Sequence, residues 1–182
     1  MKSRYLVLIV CTLLFVFFAP VHGTAQETQK DYLSSVEADK IREAETPNAR
    51  ILLFLTFADD RLKKLQYELD HPSQANHAEM INSLLNAYVG CVDDAADLIQ
   101  LGIEKQQNVR KGIDLMVART KEFLATLQKI PTDAAGAEFY KDNLEDAMQG
   151  TRDAAAEAED AKKSAALTAD IARLVYAASQ KP

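Results

Sequence analysis

The histidines and cysteines of this chain bound the chemistry open to it. His71 closes the tetrapeptide Glu68-Leu-Asp-His71. Glu-x-x-His is the spacing that puts two metal ligands on one helix face in carboxylate-bridged di-metal bundles. Such centres need a second copy of the motif and further inward glutamates, and the sequence supplies neither. His71 also precedes Pro72, at a helix end, where an imidazole interacts favourably with the helix dipole. His77 opens the next helical segment and is expected to be exposed. A zinc site assembled from Glu68, His71, His77 and Glu79 is the most these residues permit. No metal or cofactor is expected.

Cys91 lies in Val89-Gly-Cys-Val-Asp-Asp94. A thiolate nucleophile needs an electropositive setting and a base. Here two aspartates follow it, so a small core residue is the expected role, with an intermolecular disulfide as the rival. The chain has no Cys-x-x-Cys-His, Gly-x-Ser-x-Gly, His-Glu-x-x-His or glycine-rich phosphate loop. No catalytic residue is assigned.

The N-terminus reads as an export signal. Lys2 and Arg4 precede an apolar run from Tyr5 to Phe18, and small residues follow up to Ala25. This is the layout of a cleavable signal peptide over residues 1–25. An uncleaved membrane anchor is the alternative, since 5–21 is nearly long enough to insert. Cleavage removes two bases and no acid, so the net charge goes from −6 to −8. An acidic chain is a poor nonspecific ligand for nucleic acid. The remainder holds one cysteine and no Asn-x-Ser/Thr, which suits a bacterial envelope protein, periplasmic or extracellular.

These residues must be positioned by helices. Ile51-Leu-Leu-Phe-Leu-Thr-Phe57 is apolar on nearly every side of a helix, so it should be buried on nearly every side. Ser34 and Glu37 form a capping box for a short helix over 35–45, after a flexible polar lead at 26–33. Thr46-Pro47 starts a second helix running to about Leu69, nearly collinear with the first across a kink. Asn76-His-Ala-Glu79 marks the next start.

From 77 to 130 there is no proline, and apolar residues recur about every 3.5 positions, from Ile81 and Leu85 to Leu127 and Ile130. This predicts one long helix of about 81 Å at 1.5 Å per residue. The alternative breaks it at Glu104-Lys-Gln-Gln-Asn108. Pro131-Thr-Asp133 then turns the chain into an alanine-rich helix reaching about Ser179. Folding the two long helices antiparallel pairs residues whose numbers sum to about 263. Phe123 then meets Tyr140, Met116 meets Ala147 and Tyr88 meets Val175. Lys105 and Arg110 would form ion pairs with acids near Ala158 and Asp153.

The expected fold is all-α: an elongated antiparallel helical bundle of three long helices with coiled-coil-like heptads, in one domain over 34–179. A four-helix up-down bundle is the alternative. In the three-helix form the distal tip has too few neighbours to cover its apolar residues. Phe123, Leu124, Leu127, Phe139 and Tyr140 would then form an exposed surface for a protein partner or for self-association. The expected function is that of an exported, non-enzymatic bundle acting by macromolecular binding or self-association. A metal- or cofactor-binding bundle and a membrane-anchored envelope protein are the alternatives. Membrane contact is expected only through the N-terminal segment if it stays uncleaved.

Overall fold

The computed structural model describes residues 31–73, 75–133 and 136–179. The expected signal peptide and most of the lead lie outside the described residues. The described residues form five α-helices and no strand. They are α1 (Ser35–Glu43), α2 (Pro47–Asp70), α3 (His77–Glu104), α4 (Arg110–Leu127) and α5 (Lys141–Ser179), with a 3-10 turn at Ala137–Phe139 before α5.

Local signals set the first two starts as expected. Ser34 Oγ accepts the Glu37 N–H, and Glu37 reaches back to the Ser34 N–H. Thr46 Oγ1 accepts the Ala49 N–H, with Pro47 at the first helical position. α1 does not continue the line of α2. It folds back over it, so that Ala44 sits beside Arg50 and Glu37 beside Arg61. The lead is anchored at its end: Leu33 is buried, and the Tyr32 ring lies close against Gly90 of α3.

α2 is central, as its composition requires. Ile51, Leu55 and Ala58 are fully buried, and Phe54, Phe57, Leu62 and Leu65 nearly so. Leu52 and Thr56 face solvent, and Leu53 is half-buried. α2 packs along α3 and α4, and α5 packs along the other sides of the same two helices.

The single helix over 77–130 does not form. The chain leaves the helix at Lys105 and re-enters one at Arg110. The Gln107 N–H donates to the Gly102 carbonyl at 2.8 Å, and the Gln106 N–H to that of Ile103 at 3.0 Å. Gln106 stands between them with φ at 54°. These are the paired bonds of a Schellman helix end. The left-handed residue in that motif is usually glycine; here it is glutamine, so no turn residue announced the break.

The break changes every later register. Tyr88, expected to meet a residue near the end of α5, contacts Thr151, and Asn143 donates to Asn82. α3 and α5 therefore run in the same direction. α4 and α5 run antiparallel, but their ion pairs are Lys121–Glu159 and Asp114–Lys162. The expected sum of 263 is wrong by roughly four helical turns. Helix α4 ends at Leu127 and α5 begins only at Lys141, so no sharp turn at Pro131 joins them. The pairs expected for Lys105 and Arg110 are replaced by these two.

Candidate functional site

The four residues that a zinc site would have needed, Glu68, His71, His77 and Glu79, sit at the α2–α3 turn, and only two of them meet. Glu68 Oε1 accepts from the Ser73 N–H at 2.9 Å, the Ser73 hydroxyl at 2.7 Å and His77 Nδ1 at 2.9 Å. These three donors, led by the Ser73 backbone, hold the Glu68 carboxyl down at about 2. His77 is half-buried by this contact rather than exposed. His71 points away and stacks on Tyr67 with ring centroids 4.5 Å apart. Glu79 is exposed. Among the described residues no three His, Cys, Asp or Glu side chains are grouped to hold a metal. Glu68 and His77 close a turn.

Cys91 is fully buried on α3, and so is the centre of the bundle around it. The Thr151 hydroxyl donates to the Ala147 carbonyl at 2.6 Å, so the Tyr88 hydroxyl donates to Thr151. Burial pushes the Tyr88 phenol well above its usual range. The Phe123 ring meets Tyr88 edge-on at 5.6 Å. The exposed tip expected around Phe123 is thereby corrected. Phe123, Leu127 and Tyr140 are core, and Leu124 is half-buried. The reversal at 105–109 brings α4 between α2 and α5, which supplies the neighbours that a two-helix tip lacked. Phe139 alone of the five remains largely exposed, at 64%.

The open site lies elsewhere, in a cleft of about 720 Å³ between α1, α2 and α3. Drug-sized ligand pockets run from about 300 to 1,000 Å³. Leu33, Ile41, Phe54, Leu98 and Leu101 give it an apolar lining. α1 covers it without a single buried residue. That helix is held at its ends. Arg61 clasps Glu37 with two bonds, at 2.5 and 2.7 Å, and also donates to the Tyr32 carbonyl. At the other end Arg50 Nε donates to the Ala44 carbonyl at 3.0 Å. The Arg61 guanidinium holds the Glu37 carboxyl down at about 2.

Charge in the cleft is uneven. Asp39, Asp94, Asp97 and Glu104 line it against Arg42 and Arg50. Arg42 is engaged by Asp39 and Arg50 by the Ala44 carbonyl. Asp97, Leu101 and Glu104 follow at helical spacing on α3, so one stripe carries both the acids and the apolar wall. Sequence reasoning missed this stripe because its apolar members read as flanks of the heptad seam. Leu101, 41% exposed, was the available signal: a large apolar residue off the seam, between two acids.

No family model, no curated protein and no solved structure matches the chain. No helix of the described residues is long and apolar enough to cross a membrane.

Proposed function

We propose that this chain is an exported, non-enzymatic helical binding protein that works through the α1–α2–α3 cleft. The carrying observation is the cleft itself: apolar walls, a ligand-sized volume and a short covering helix with no fully buried residue. Residues 1–25 support export through their signal-like layout, and the lack of a catalytic motif supports the non-enzymatic reading. The packing of α2, α3, α4 and α5 on one another supports a four-helix bundle as its frame.

The test uses a neutral apolar fluorophore, N-phenyl-1-naphthylamine, with the full chain. Saturable enhancement that Leu101→Lys removes is the expected result. Leu101 is exposed enough for the variant to fold, and circular dichroism checks that it does. No enhancement, or enhancement indifferent to Leu101→Lys, rejects the cleft.

A second reading is self-association through α5. Leu167 and Ile171, one turn apart, are largely exposed where α5 runs on past the turn between α3 and α4. A chain ending at Ser164 should then lose a dimer seen by light scattering of the full chain. A full chain that is monomeric at high concentration removes this reading.

A further inference from the structure

We infer that the cleft selects amphiphilic cations, a primary ammonium or similar group on an apolar body. This rests on the binding reading above and adds the chemistry of the ligand.

An apolar body is required by the walls. Leu33, Ile41, Phe54, Leu98 and Leu101 offer nothing to a polar ligand, and water against them is displaced at a gain. The sign of the headgroup follows from which lining charges are already matched. Arg42 is paired with Asp39, which leaves Arg50, held by a neutral backbone carbonyl, as one lining cation against Asp97 and Glu104. Asp97 and Glu104 form no ion pair among the described residues, and both face the same space as Leu98 and Leu101. Asp94 lies one turn before Asp97 on the same stripe and is buried.

The field of these acids is felt nearby. Asp93, next along α3, is raised above the usual carboxylate range by burial, then by Asp97 and Glu157. An anionic headgroup would add a like charge beside Asp97. An ammonium placed there meets the Asp97 carboxylate, while its alkyl chain runs along Phe54, Leu98 and Leu101. Glu104, two turns on from Asp97, stands at the far end of the stripe and draws cations toward the mouth.

Competition against the neutral fluorophore tests this with three probes of one chain length: octylammonium, octanol and octanoate. Octylammonium is expected to displace the dye at concentrations about tenfold below octanoate, with octanol between them. Asp97→Asn should erase most of that preference and leave octanol unchanged. Glu145→Gln, an exposed acid near the start of α5, removes the same charge and should change nothing. If octanoate competes as well as octylammonium, or if Asp97→Asn keeps the full preference, the cation selectivity is wrong while the cleft stands. If Glu145→Gln lowers octylammonium affinity as much as Asp97→Asn does, the effect is net charge and the assignment to the cleft falls. A dye that never binds removes the cleft reading and this inference together.

Discussion

Asn48 of α2 caps α4 from outside it, through Gly112. The Gly112 N–H donates to Asn48 Oδ1 at 2.7 Å, and Asn48 Nδ2 donates to the Asn108 carbonyl at 2.6 Å. The residue at the α4 N-cap position is Val109, which has no side-chain acceptor. A helix start leaves four N–H groups without intrahelical partners. Asn48 supplies one acceptor across a sequence gap of 64 residues. Gly112 permits the approach, since a Cβ there would fall 2.5 Å from Ile51 Cδ1.

Asn48→Ala should therefore destabilise the protein by about 1–2 kcal/mol, the usual cost of a lost cap. Asn48→Asp keeps the acceptor and loses the donor, so it should fall between. Urea unfolding followed by circular dichroism measures both. An Asn48→Ala variant as stable as the parent would mean that water caps α4 equally well.

The α3–α4 turn gives a pair of opposed substitutions. Gln106 occupies a left-handed conformation that costs a non-glycine residue about 1–2 kcal/mol. Gln106→Gly should recover part of this, on the order of 0.5–1 kcal/mol after the added flexibility of the unfolded chain. Gly102→Ala should do the reverse. Its Cβ would lie 2.2 Å from Val109 Cγ1, and relieving that overlap should cost roughly 1–3 kcal/mol. Thermal unfolding of the two variants should bracket the parent; the opposite order would contradict the turn described.

This turn also shows where the sequence was readable. The capping box at Ser34, the Thr46-Pro47 start and the buried apolar run of α2 depend on neighbours in sequence, and each formed where expected. The reversal at 105–109 depends on backbone bonds around a glutamine in a glycine's place, with Val109 filling the space above Gly102. Heptad spacing passed straight through it, because apolar residues on both sides face one core. The cleft was hidden for a related reason. It exists only because α1 folds back, and that is set by Arg61 meeting Glu37 across 24 residues.

That contact makes stability pH-dependent. Glu37 and Glu68 each drop from 4.5 to about 2 in the folded protein. The unfolded chain therefore binds more protons across this window, and stability rises with pH there. Their contribution is complete above about pH 4.5 and is lost as pH falls toward 2. Glu37→Gln with Glu68→Gln should flatten unfolding free energy between pH 5 and pH 2.5. An unchanged slope would place the acid sensitivity elsewhere.

Leu55 reports on the core. It is fully buried in α2, and Leu55→Ala should cost about 2–5 kcal/mol. Cys91, equally buried, should react with a thiol reagent only as the protein unfolds, and faster in Leu55→Ala than in the parent. Fast labelling of the native parent would expose an error in the packing of α3.

The claim that ligands enter beneath α1 is tested most directly by amide hydrogen exchange of the full chain, with and without saturating N-phenyl-1-naphthylamine. Ligand in the cleft should slow exchange in Ser35–Glu43 and over residues 94–104, and leave residues 141–160 unchanged. Protection confined to α5 around Leu167 and Ile171, with α1 exchanging as before, would contradict it.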